Sequence, residues 1–140
     1  MDALYTTEAL ATGAGRDGHV AVAGSDLAFD MAVPREMGGS GAGANPEQLF
    51  AAGFAACFHS ALQAVARGRK VSIEGSSVGA RVSIGKNDAG GFQLAVALEV
   101  VVPELDPAVT QELADAAHLM CPYSNATRGN IEVTVTASDD

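Results

Sequence analysis

Ten consecutive residues, Leu49 to Phe58, are apolar, and they follow directly on Asn45-Pro46-Glu47-Gln48. Those leading residues read as a helix start. Asn can cap the first free N–H groups, Pro suits the first helical position, and an acid in the first turn answers the helix dipole. The helix is expected to run to about Arg67 and to stop at Gly68. A helix that is apolar nearly all round must be buried. Its small residues Ala51, Ala52, Gly53, Ala55 and Ala56 would let another element approach closely. An apolar run of ten residues is too short to span a bilayer.

The rest of the chain arranges itself around that helix. Ala3 to Ala11 is weakly strand-like, and Gly13 to Gly18 is a turn cluster. His19 to Val22 and Leu27 to Val33 read as paired strands, the second with Leu27, Phe29, Met31 and Val33 alternating against Ala28, Asp30 and Ala32. Pro34 ends that strand, and Gly38 to Gly43 forms a flexible loop. Ser77 to Ile84 and Phe92 to Val102 read as a hairpin joined by residues 86–91. Asp106-Pro107 opens a second helix with Val109, Leu113, Ala116, Ala117 and Met120 on one side, and Pro122 is expected to stop it. Ile131, Val133 and Val135 alternate in a last strand. The order β-β-β-α-β-β-α-β predicts an α+β fold with a largely antiparallel sheet and a buried central helix. No repeat or linker breaks the chain, so residues 1–140 are expected to form one domain.

Charge narrows the function. Eight basic residues stand against seventeen acidic ones, a formal net charge of −9. Such a chain has no footprint for a phosphate backbone and no attraction to an anionic membrane. Neither nucleic acid nor a membrane is expected as a partner, which leaves small molecules and other proteins. Met1 to Thr12 has no basic flank and no long apolar run, so a cytoplasmic location is expected. There glutathione keeps ordinary thiols reduced, and two cysteines read as inert, catalytic or metal-binding rather than as a structural staple.

Several motifs compete for the chemistry. Residues 13–18 match G-x-G-x-x-G, but a strand follows them where a dinucleotide fingerprint needs a helix, so a permissive turn is the better reading. Cys57, His59, His118 and Cys121 could make a zinc set by composition. Residues two apart on a helix point about 200° apart, so Cys57 and His59 cannot share one ion on an intact helix. His118 and Cys121, three apart, could. Cys57 alone reads as a small core hydrophobe. Cys121, at a helix end before Pro122-Tyr123-Ser124-Asn125, places a second thiol against a loop able to move. A mobile Cys facing a buried Cys is what a reversible disulfide requires.

Asn45 to Phe58 resembles the peroxidatic helix of the organic hydroperoxide resistance proteins, thiol peroxidases within the wider family that also holds the osmotically inducible proteins. Cys121-Pro122-Tyr123-Ser124-Asn125-Ala126-Thr127-Arg128-Gly129-Asn130 resembles that subfamily's second cysteine motif. Gly15-Arg16-Asp17-Gly18-His19-Val20 resembles its arginine loop. Pro34 to Gly39 resembles the loop before the helix, with Met37 where Leu is expected. The resemblance covers essentially the whole chain. It implies a two-cysteine peroxidase that works as an intertwined homodimer, with no haem, flavin or metal cofactor. By the same resemblance such a peroxidase would reduce organic hydroperoxides to alcohols and would be regenerated by a lipoylated partner protein. Cys57 would be the peroxidatic thiol, Cys121 the resolving thiol, and Arg16 and Glu47 the charged pair beside the reactive sulfur. An apolar-ligand or stress-binding module of the same fold, with inert cysteines, is the alternative.

Physical chemistry adds three expectations to that resemblance. A thiol in the middle of a helix gains little from the dipole, so its thiolate needs a nearby cation, with Arg16 the candidate and Glu47 its bidentate holder. Cys121 at the C-terminal end of its helix is favoured as the protonated thiol. Glu47 precedes Cys57 by about 15 Å of helix axis, so Arg16, or a second chain's Glu47, must bridge the gap. Phe50, Gly53, Phe54, Ala61 and Ala64 fall near Cys57 on the helix wheel, and Phe50 and Phe54 are the candidate substrate-pocket wall for an alkyl or aryl tail.

Overall fold

The computed structural model describes residues 1–139. The chain divides into two compact units, Met1–Leu49 and Phe50–Asp140.

The first unit holds three short antiparallel strands, β1 (Ala9–Thr12), β2 (His19–Val22) and β3 (Ala28–Asp30), in that order. Their register pairs Ala9 with Val22 and His19 with Asp30. β2 has the expected bounds, while the first and third strands are shorter than expected. β1 starts only at Ala9, preceded by Glu8, whose carbonyl accepts from Ala23 N at 2.9 Å. After Asp30 the chain leaves β2: Met31 bridges Ala44, Ala32 N donates to Ala44 O at 2.9 Å, and Ala44 N donates to Asp30 O at 3.0 Å. Those Ala44 contacts lie on the edge of the strand away from β2, Met31 N still donates to Gly18 O at 2.9 Å, and β3 ends where its partner gives way to the turn at residues 15–18. The same bridge delivers the chain to Asn45. Asn45 Oδ1 accepts from Gln48 N at 2.9 Å, while Gln48 Oε1 accepts from Asn45 N at 3.1 Å. This reciprocal capping box starts helix α1 (Pro46–Gly68).

The second unit is built on a sheet in the order β4 (Ser77–Lys86), β5 (Phe92–Val101), β6 (Val133–Ser138). β4 and β5 form the expected hairpin, its loop closed by Asn87 Oδ1, which accepts from Ala89 N and Gly91 N. β6 pairs parallel to β5, the other three pairings being antiparallel. Parallel pairing follows from the connection, because β5 reaches β6 by a helical crossover. That crossover is α2 (Pro107–Met120) followed by α3 (Pro122–Thr127). Asp106 Oδ1 accepts from Ala108 N at 2.7 Å and caps α2.

α3 corrects the sequence reading, in which Pro122-Tyr123-Ser124-Asn125 was a loop able to move. Pro122 does end α2, since a residue before proline avoids the helical region, and Cys121 is extended at φ −62°, ψ 125°. Proline is equally favoured at the first position of a new helix. One residue therefore separates two helices.

The inner face of the sheet carries Val96, Leu98 and Val100, packed with Phe54, Phe58, Ala61, Leu62 and Ala66 of α1 and with Leu113, Ala114 and Ala117 of α2. Fully burying each large side chain contributes roughly 1.5–3 kcal/mol. α1 departs from expectation here. Its own chain buries one face, while Ala52 and Ala56 are exposed and Ala51 and Ala55 half-buried. By length and composition α1 could also cross a membrane, a test that the core helix of a soluble protein passes as well.

Candidate active site

The first unit positions a charge pair. Arg16 sits in a single 3-10 turn, Gly15–Asp17. A Cβ at Gly18 would lie 2.2 Å from Thr12 O, so the turn closes only on glycine. Asp17 Oδ1 accepts from Val33 N at 3.0 Å, and Gly18 O accepts from Met31 N at 2.9 Å. These links aim Arg16 at the first turn of α1. Arg16 Nη1 donates to Glu47 Oε2 at 2.9 Å and Nη2 to Oε1 at 2.7 Å, a bidentate fork. The hydrogen bonds from Arg16 hold the Glu47 carboxyl below its ordinary value against an opposing push from burial. The same contact raises Arg16.

The second unit positions two sulfurs. Cys57 lies at mid-α1 and Cys121 between α2 and α3. Both are free thiols, and Cys121 Sγ donates to Cys57 Sγ at 3.5 Å. A disulfide needs about 2.05 Å, so a short approach joins them. Their exposure reverses the sequence reading: Cys121 is fully buried and Cys57 half-buried. The expected one-sided dipole at Cys121 is also corrected, because the C-terminus of α2 and the N-terminus of α3 both meet there and oppose each other. Burial pushes the Cys57 thiol above its ordinary value. A backbone hydrogen bond from Tyr123 pulls it down, and the neighbouring Cys121 pushes it further up. Sequence reasoning missed Tyr123 because it missed α3. The signal was Pro122 read as an N1 proline instead of a terminator.

Tyr123 contributes a second way. Its ring lies 5.9 Å from that of Phe50 and 5.5 Å from that of Phe54, and Phe50 and Phe54 meet edge-on at 5.9 Å. A Cβ on Gly53 would fall 2.7 Å from Tyr123 Oη, so glycine makes room for the phenol. Phe54 is fully buried in the core and Phe50 half-buried. Of the two residues expected in a pocket wall, Phe54 is therefore packed into the core, while Phe50 and the partly exposed Tyr123 keep part of their rings open to solvent.

The histidines are engaged elsewhere. His59 Nε2 pairs with Ser76 Oγ at 2.9 Å and His118 Nδ1 with Ser124 Oγ at 2.7 Å. Among the described residues no group of three or more His, Cys, Asp or Glu could hold a metal ion.

A fold that pairs two thiols across α1 and the α2–α3 junction, with a separate arginine turn fastened to the start of α1, has close counterparts. Residues 38–136 match the family of OsmC-like proteins, and the chain belongs to that family. Within it the chain is similar to proteins named for organic hydroperoxide resistance. It is 51% identical over 135 residues to that of Xanthomonas axonopodis pv. citri, covering 95% of this chain and 94% of that one. It is 46% identical over 132 residues to OhrB of Bacillus subtilis, covering 94% and 96%. The crystal structure of an organic hydroperoxide resistance protein from Elizabethkingia anophelis, with thiocyanate bound, superposes with a TM-score of 0.94 at 47% identity over the whole of both chains.

Proposed function

We propose that this chain is a two-cysteine peroxidase that reduces organic hydroperoxides to alcohols. The observation that carries the reading is the 3.5 Å approach of two free thiols that stand 64 residues apart in sequence. The Cys57 thiolate attacks the outer oxygen of ROOH, the O–O bond breaks, and the alkoxide takes a proton to leave as ROH. Cys57 is left as the sulfenic acid. The Cys121 thiol then displaces its hydroxyl as water and closes a disulfide. An external dithiol, taken to be a lipoyl group on a partner protein, restores both thiols.

Arg16, held by Glu47, supplies the counter-charge that a thiolate in a poorly solvated site needs. The relatives' names support the substrate class, and the partly exposed rings of Phe50 and Tyr123 support a site for an apolar tail. Two copies assemble as an intertwined homodimer. Support comes from the exposed Ala52 and Ala56 of α1 and from Leu10 and Leu27, large apolar side chains left exposed in the first unit. The acidic surface suits a cytoplasmic protein.

The test mixes the reduced protein with tert-butyl hydroperoxide and counts thiols. Loss of both with formation of tert-butanol is expected. Retention of both leaves a ligand-binding module with inert cysteines. Hydrogen peroxide offers no apolar area, and each buried CH₂ contributes roughly 0.8 kcal/mol, so the alkyl substrate should react on the order of a hundredfold faster. Equal rates, measured in a single turnover, would remove the apolar wall from the argument.

A further inference from the structure

Two polar groups beside the thiols take no part in the reaction above. Ser124 is fully buried, and its hydroxyl meets His118 Nδ1 at 2.7 Å. His118 lies in the last turn of α2 and Ser124 in the first turn of α3, so their bond spans the break at Cys121. The same residue is gripped a second time. Arg128, just past α3, donates through Nη2 to the His118 carbonyl at 2.5 Å and through Nη1 to Asn125 Oδ1 at 2.7 Å. A six-residue helix has little stability of its own, and only extended Cys121 joins it to α2. Its placement depends on ties of this kind. What they place is the Cys121 thiol.

We propose that His118 and Ser124 are the positioning pair of the resolving step, their bond across the α2–α3 break holding the Cys121 thiol within reach of Cys57. The inference rests on the peroxidase reading above. In that step the S–O bond of the Cys57 sulfenic acid breaks and a Cys57–Cys121 S–S bond forms. The hydroxyl leaves as water with the Cys121 proton, and the hydroperoxide already consumed is the oxidant. Neither His118 nor Ser124 touches the reacting atoms. They act by keeping the helix that begins at Pro122 in register with α2, so that the thiol waits in place for the sulfenic acid. Without the tie the thiol swings through more orientations, and the sulfenic acid survives long enough to meet a second peroxide.

The test follows attack and closure separately, by rapid quench of the reduced full chain with cumene hydroperoxide and intact-mass analysis. His118→Leu and Ser124→Ala should slow closure about tenfold, the weight of one well-made hydrogen bond, while attack changes by no more than about threefold. At high peroxide both should accumulate the Cys57 sulfinic acid. His118→Asn keeps a polar group close to the Nδ1 position and should recover most of the closure rate. The double variant should close no more slowly than the slower single, because both remove one bond. Closure at the unaltered rate in both single variants overturns the positioning role, as does equal slowing of attack and closure. Should His118→Leu fail to fold, Ser124→Ala, which removes one oxygen atom, decides alone. Absence of any Cys57–Cys121 disulfide in the unaltered protein would sink the peroxidase reading itself, a distinct outcome.

Discussion

Arg16–Glu47 and Cys57–Cys121 each join residues far apart in sequence, yet opposite means hold them. The charge pair belongs to a unit of three short strands, in which Met31, Ala32 and Asn45 are the buried side chains among the described residues. Its geometry is set by directional bonds: the Asp17 carboxylate on Val33 N, the Met31 bridge to Ala44, and the guanidinium fork. The sulfur pair belongs to a unit with a continuous apolar core that includes Cys121 itself. Packing sets most of its geometry, and the His118–Ser124 bond closes the one break in that core, at Cys121. A pair held by bonds alone should respond to pH and to single polar substitutions. A pair held mainly by packing should respond first to volume.

The largest effects test the sulfurs. Cys57→Ser should abolish hydroperoxide reduction, since no nucleophile remains. Cys121→Ser should turn over once and leave one added oxygen on Cys57, visible by intact mass. A reactive Cys57→Ser protein beside an inert Cys121→Ser one would exchange the two roles. Next comes packing. Phe58 is fully buried in the core around the thiols, so Phe58→Ala should cost about 3–5 kcal/mol in urea unfolding. Phe29, half-buried in the first unit, should cost about half as much on the same change. Equal costs would erase the contrast between a packed and a bonded unit.

How much of this was legible in the sequence also differs between the two regions. The start of α1 was written in Asn45-Pro46-Glu47-Gln48, because capping is a local bond between near neighbours. The β4–β5 hairpin was legible from its alternation and from Asn87. The family was legible from the two cysteine motifs, and with it the closeness of Cys57 to Cys121, whose sulfurs stand 3.5 Å apart. β3 was overdrawn because its partner β2 begins only at His19, after the turn at residues 15–18, and alternation within one strand does not announce where its partner starts. α3 was missed because proline both ends and begins helices. With α3 went the Tyr123 hydrogen bond, the dipole balance at Cys121 and the buried character of that thiol. The one-sided burial of α1 could not be read either, since an all-apolar helix does not say which chain covers each face.

An intermediate effect tests whether the bonded unit serves the packed one. Arg16→Ala should move the Cys57 thiolate titration to higher pH and slow attack about tenfold, one pKa step being about 1.36 kcal/mol. Arg16→Lys should be a poor rescue, because an ammonium cannot reproduce the two-point contact with Glu47. Ultraviolet absorbance of the thiolate follows the titration directly. An unchanged curve in Arg16→Ala would confine Arg16 to holding its own turn.

The smallest effect is the pH response of the charge pair itself. The Arg16 fork depresses the Glu47 carboxyl in the folded protein, so the folded state binds its proton less readily than the unfolded chain does. The pair's contribution is therefore complete above the ordinary glutamate value of about 4.3. It fades as the pH falls below that and is gone once the pH has passed through the folded value. Arg16 stays protonated throughout and adds no slope of its own. A fork with Arg16 36% exposed is screened by solvent, so the contribution should be no more than about 1 kcal/mol. Many other carboxylates titrate in the same range, and the informative quantity is a difference. Urea midpoints for the unaltered protein and for Glu47→Gln should be furthest apart near neutral pH and converge below about pH 4. A gap that stayed constant down to acid pH would assign the effect to lost packing or capping at the start of α1, and the pair would then be held by shape after all.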